Sequence, residues 1–182
     1  LFDANIAGIA ETTLRGKGVA IHTGESLLRL EGEGGKVRRV VTDRRTLPAE
    51  LVVIATGVRP NAALARTAGL AVGPLGGIAV NDHLQTSDPL IYAGGDCIET
   101  RSLVTGLPAY TPLGSLANRQ GRVIADHIAG KPARFDGVVG SFIVKIFDTA
   151  LASAGPTQEQ AIAAGIDAER ALVVGYDRAH FM

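Results

Sequence analysis

Apolar residues at Leu1, Phe2, Ile6, Ile9, Ala10 and Leu14 form the stripe of one helical face, and Gly16 and Gly18 close it. Val19 to Gly24 then reads as a short strand. Ser26 to Asp43 predicts a hairpin, two β-like runs around the turn residues Gly32, Gly34 and Gly35. Leu51 to Gly57, "LVVIATG", is a continuous apolar run closed by glycine, the pattern of a buried parallel strand. A short helix over 61–68, the strand "GGIAV" and the apolar run "IYA" before Gly94 follow. Leu113, Leu116, Ala117, Val123, Ile124 and Ile128 share one helical face, closed by Gly130 and Pro132. "SFIVKIFDTALASAG" predicts a strand, and "PTQEQAIAAG" a short helix. In the latter, Thr157 and Gln160 have capping-box spacing and Gly165 sits where a C-cap belongs. "ALVVGY" predicts a last strand. Helices alternating with apolar strands argue an α/β fold.

Charge and composition narrow the function classes. Lys+Arg and Asp+Glu balance at 18 each, so neither nucleic acid nor an anionic membrane is an expected partner. With 46% hydrophobic and 20% charged residues the chain reads as soluble and globular, and no apolar run approaches a membrane span. A single cysteine rules out an intrachain disulfide framework and fits a reducing cytoplasm. Glycine is over-represented, at 23 of 182 residues, without a repeat. That points to many tight turns, or to a backbone that approaches a ligand closely at several places.

Two strand ends carry the candidate chemistry. A dinucleotide site normally opens with G-x-G-x-x-G between strand and helix, and no such match exists; "GEGGKV" falls inside the hairpin and is read as a turn. "ATGVRPN" closes the Leu51 run with Gly57, either as a ligand approach or as a plain turn. "IYAGGDC" places Gly95 and Asp96 after an apolar run. An ionised carboxylate there can accept hydrogen bonds from a sugar or ribityl hydroxyl, or it can cap the next turn. Cys97 has no adjoining His, Lys or second Cys, so a buried inert thiol is the expectation. The histidines at 22, 83, 127 and 180 show no metal-ligand spacing.

In this order, "LRGKGVAIHTGESLLRLEGEGGKVRRVVTD", "LPAELVVIATGVRPNAALARTAGL", "GGIAVNDHLQTSDPLIYAGGDC", "PLGSLANRQGRVIADHIAGKP" and "SFIVKIFDTALASAGPTQEQAIAAGI" resemble the C-terminal half of an FAD- and NAD(P)H-dependent pyridine nucleotide–disulfide oxidoreductase. The resemblance is to the coenzyme A–disulfide reductase, NADH oxidase and NADH peroxidase branch. It implies partial Rossmann-like, three-layer FAD- and NAD(P)-binding domains followed by the start of an α+β dimerisation domain. Residues 1–60 would close the NAD(P) domain, with Gly57 near the nicotinamide nucleotide. Residues 61–132 would be the returning part of the FAD domain. There Gly95 would let the flavin lie against the backbone and Asp96 would bond its ribityl chain. Leu113, Gly114, Ser115, Leu116 and Ala117 would turn the helix N-terminus toward the flavin pyrimidine. Residues 133–182 would begin the dimerisation domain.

The resemblance also implies what a parent protein would do: pass hydride from NAD(P)H through FAD to a small-molecule disulfide, a peroxide or oxygen, as a cytoplasmic homodimer. The redox cysteine and both dinucleotide phosphate loops of such enzymes are absent from these 182 residues. The chain therefore reads as a fragment, inactive alone, with no catalytic residue of its own and with Cys97 a bystander. Where relatives carry an "HAxYYPGA"-like segment, this chain has "DRAHFM", with Arg178, Phe181 and Met182 in place of the His and two Tyr. Two other readings stand beside this one. The first is a ferredoxin-reductase-like or nitrite-reductase-associated flavoprotein, which shares the aspartate. The second is a non-enzymatic fragment that self-associates through strand edges such as "FIVKIF".

Overall fold

The structure is a computed structural model and describes residues 2–175. Among the described residues it is a mixed α/β chain carrying three small sheets. Helix α1 (Ala4–Gly16) follows the predicted stripe. Strands β1 (Leu27–Glu33), β2 (Lys36–Thr42) and β3 (Thr46–Pro48) form an antiparallel sheet in the order β1-β2-β3. Its first turn falls on Gly34 and Gly35, at φ +59° and +77°, as the glycines predict. Gly32 marks a register shift in which a side chain would run into the Lys36 carbonyl.

A second unit gathers the centre of the chain. Helix α2 (Ala63–Thr67), strands β4 (Ile78–Ala79), β5 (Ile98–Arg101) and β6 (Pro108–Ala109), and helix α3 (Gly114–Ile128) surround the main core. Strand β5 pairs parallel with β4 and antiparallel with β6. The core is Ala62, Ala65, Ile78, Leu84, Ile98, Phe135 and Val138, with Leu116, Val123 and Ile124 of α3 laid against it. Leu84 is fully buried although its φ is +63°. A non-glycine residue in that region costs on the order of 1 kcal/mol or more, so burial of its side chain holds the turn. Glu99 is also buried, and its carboxylate accepts hydrogen bonds from the Leu75 and Gly77 amides at 2.8 and 3.3 Å.

The third unit is the hairpin β7 (Ser141–Ile146) and β8 (Thr149–Ala154) with helix α4 (Gln158–Ala163). The capping box is present in full: Thr157 accepts from the Gln160 amide, and the Gln160 side chain accepts from the Thr157 amide. Helix α1 packs on this hairpin. The Phe2 and Phe142 ring centroids are 4.9 Å apart, Lys17 Nζ lies 2.9 Å from Asp148, and the Gln158 amide donates to Asp3.

Five expectations are corrected. Val19 to Gly24 forms no strand, and its Ile21 carbonyl accepts from the Arg15 guanidinium instead of a ladder partner. Leu51 to Gly57 is neither paired nor buried: Leu51, Val53 and Ile54 are exposed. A parallel strand is buried only by its neighbours, and no described strand lies alongside this one after β3 ends at Pro48. "SFIVKIFDTALASAG" is two strands rather than one, because Phe147 (φ +52°) and Asp148 reverse the chain without a glycine. The run before Gly94 is not a strand either; Tyr92 makes one bridge to Gln85, and the strand proper, β5, begins after Asp96. The last predicted strand is irregular over 171–175, and Tyr176, Arg178, His180, Phe181 and Met182 lie outside the described residues.

Candidate functional site

The turn Gly94–Cys97 enters β5, and α3 lies against it. The Ile78 amide donates to the Cys97 carbonyl at 2.8 Å, which fixes the end of the turn to β4. Gly94 lets α3 come close. A side chain at Gly94 would meet Ile124 Cδ1 at 3.2 Å, and one at Gly95 would meet the Ala117 methyl at 3.6 Å. Gly95 also sits at φ +83°, open to glycine and strained for other residues. Its amide donates to Gln120 Oε1 at 2.6 Å, and Gln120 is only 3% exposed.

Asp96 is held at the tip of this turn and is exposed. Its backbone carbonyl accepts from the Tyr110 hydroxyl at 3.0 Å, while its carboxylate has no hydrogen-bond or ion-pair partner among the described residues. Burial, followed by the Asp96 and Cys97 charges, pushes the Tyr110 phenol above its usual 10.0.

Helix α3 opens beside this turn. Leu113 is its N-cap in an extended conformation, without a side-chain cap. Its carbonyl takes the Leu116 and Ala117 amides, both at 3.0 Å. The Gly114 and Ser115 amides are exposed and have no partner among the described residues. Free N–H groups at a helix start carry the positive end of the helix dipole, which favours a negatively charged or carbonyl-bearing ligand. One end of the arrangement accepts hydrogen bonds and the other donates them.

The structure therefore gathers Gly95, Asp96, Leu113, Gly114, Ser115, Leu116 and Ala117 around one turn–helix contact. Gly57 is not among them. It is exposed at φ +90°, and no hydrogen bond or shared cavity ties it to the Asp96 turn among the described residues. Cys97 is half-buried, with its thiol on the Gly94 carbonyl at 3.4 Å. His83 and His127 stack at 4.2 Å between centroids, yet no group of three metal-ligating side chains occurs among the described residues. Two participants escape a reading of the sequence, Gln120 and Tyr110. Gln120 interrupts the apolar stripe of α3 between Ala117 and Ile124, and a polar residue on such a face is the signal that could have found it.

The sequence pattern of the pyridine nucleotide-disulphide oxidoreductase family matches residues 1–118, well over half of the chain. The chain belongs to that family. Among curated relatives of the family, the NAD(P)H coenzyme A polysulfide/persulfide reductase of Pyrococcus horikoshii is 37% identical over 180 residues, which are 99% of this chain and 40% of that protein. An FAD-dependent pyridine nucleotide-disulphide oxidoreductase from Desulfovibrio vulgaris superposes with a TM-score of 0.85 at 50% identity, over 91% of this chain and 42% of that one. An NAD-dependent persulfide reductase from A. fulgidus gives 0.87 at 44% identity, over 92% and 31%. The chain thus spans at most about two fifths of the length of the curated relatives it matches here, from 40% of the Pyrococcus enzyme down to 14% of a nitrite reductase large subunit. No helix among the described residues is long and apolar enough to cross a membrane.

Proposed function

We propose that these residues are the returning half of the FAD site in an NAD(P)H-dependent flavoprotein oxidoreductase. The observation that carries this reading is the pairing of an unpartnered, exposed Asp96 carboxylate with the two free amides of α3. Asp96 suits the ribityl hydroxyls, which donate to it. Gly114 and Ser115, with Leu113, Leu116 and Ala117 shaping the first turn, suit the pyrimidine carbonyl of the flavin and the negative charge that follows reduction. Gly94 and Gly95 allow the ring system to lie against backbone. When held by Asp96 and the start of α3, FAD would supply the hydride-accepting and electron-passing chemistry of the reaction. The chain's own residues bind and orient it.

The wider reading rests on the relatives. Residues 1–60 close an NAD(P) domain with Gly57 toward the nicotinamide nucleotide, 61–132 complete the FAD domain, and 133–182 begin a dimerisation domain of a cytoplasmic homodimer. The electron acceptor is a small-molecule disulfide or persulfide, with peroxide or oxygen as the other members of the class. Two relatives named as persulfide reductases favour the first. The ferredoxin-reductase-like reading ranks below it: a ferredoxin reductase of Rhodopseudomonas palustris and the nitrite reductase large subunit of Escherichia coli match 82% and 66% of this chain, against 99% for the persulfide reductase.

Flavin content tests this. In the flavoprotein that carries these residues, Asp96→Ala removes a charge-assisted hydrogen bond and is expected to weaken FAD binding by roughly 10- to 100-fold. The protein should lose its yellow colour on dialysis while the parent keeps it. Undiminished flavin content in the variant would contradict the proposal. The 182-residue chain alone should oxidise no NADH.

A further inference from the structure

Asp96 has a free carboxylate, so something else must decide where that carboxylate points. Two contacts do so, and neither involves the carboxylate. On one side the buried Gln120 takes the Gly95 amide at 2.6 Å; on the other, Tyr110 donates to the Asp96 carbonyl at 3.0 Å. They grip the backbone on either side of the Asp96 α-carbon. Gln120 stands on α3, the same helix whose first turn carries the Gly114 and Ser115 amides, and Tyr110 stands three residues before Leu113, its N-cap.

We propose that Gln120 and Tyr110 are positioning residues that lock the Asp96 turn to the start of α3, fixing the span between carboxylate and amides that one ligand must bridge. This rests on the flavin reading above. The physics supports a shared device. The Gln120 oxygen is costly to remove, because the part-buried Gly95 N–H, beside the Ala117 methyl, would be left without an acceptor. A phenol is protonated at neutral pH, so the Tyr110 hydroxyl can donate to the Asp96 carbonyl there. The fold itself does not need the Tyr110 contact, since Ile78–Cys97, the Gly95–Gln120 bond and the core already hold β5 in place.

A double-mutant cycle on the full flavoprotein tests this. Gln120→Met keeps the volume and removes the acceptor, whereas Gln120→Glu retains an acceptor oxygen; Tyr110→Phe removes only the hydroxyl. Expected losses of FAD affinity are about tenfold for Gln120→Met and about threefold for Tyr110→Phe. Partial recovery in Gln120→Glu is expected at the same residue. In an Asp96→Ala background both losses should shrink toward none, since a residue that acts through Asp96 has nothing left to position.

Three results are decisive. Losses that stay the same size with and without Asp96 would overturn the inference and leave a general effect on stability. If Gln120→Met fails to fold, Tyr110→Phe decides the matter by itself through the same cycle. If Asp96→Ala alone leaves FAD affinity unchanged, the flavin reading fails instead, and the two failures are told apart.

Discussion

Two apolar stretches of this chain look alike in sequence and end up in opposite environments. The centre, from Ala62 to Val138, closes a core around Leu84, Ile98 and Phe135. The run Leu51–Val58 is at least as hydrophobic but lies unpaired, with Val53 79% exposed. The difference is one of partners. The central segment finds its neighbours within these residues: β4 on β5, α3 on the Gly94 turn, and the Phe135 amide on the Asp82 carbonyl at 2.8 Å. A parallel strand of the Leu51 type must be flanked on both sides, and no described strand flanks it. Apolar character decides that a segment seeks burial; the rest of the sheet decides whether it is buried.

Four substitutions break or sharpen that contrast, from the largest expected effect down. Leu84→Ala removes the one large side chain that is fully buried among the described residues. It should cost about 2–5 kcal/mol in urea unfolding, and a cost below about 0.5 kcal/mol, the scale of a surface change, would mean that the central core is not closed. Gly95→Ala meets a positive φ and the Ala117 methyl, and should cost roughly 1–2 kcal/mol. A neutral result there would detach the Asp96 turn from α3.

Tyr110→Phe should cost about 1 kcal/mol at neutral pH through the lost hydrogen bond. Its pH dependence follows from the raised phenol. The folded state holds that proton more tightly than the unfolded chain, so the linked stability is full below the unfolded value of 10.0 and is lost as pH rises through the higher folded value. Denaturation midpoints taken at increasing alkaline pH should fall less in Tyr110→Phe than in the parent. Ile54→Asp, in the open stretch, should change the stability of this chain by no more than about 0.5 kcal/mol. A loss comparable to that of Leu84→Ala would show that Leu51–Val58 is buried after all.

What can be read from the sequence follows the same division. The β1–β2 hairpin, α1, α3 and the capped α4 are legible because their signals are local: Gly34–Gly35, an apolar stripe, Thr157 with Gln160. The reversal at Phe147–Asp148 is hidden because it uses no glycine. The strand after Asp96 is hard to place because β5 includes the polar residues Glu99, Thr100 and Arg101, whereas the more apolar run before Gly94 looks more like a strand. In the site, Gly95 and Asp96 come from the local pattern "IYAGGDC", and the first turn of α3 from the resemblance. Gln120 and Tyr110 do not, since their contacts join residues 25 and 14 positions apart, and pairing at such range leaves no local mark.

The central claim, that one ligand bridges Asp96 and the start of α3, can be tested directly by amide hydrogen exchange. The flavoprotein carrying these residues would be compared as apoprotein and after FAD reconstitution. Slowed exchange is expected at the Gly114 and Ser115 amides, which have no partner among the described residues, and around Asp96. Protection elsewhere in the protein with these amides exchanging as before would contradict it.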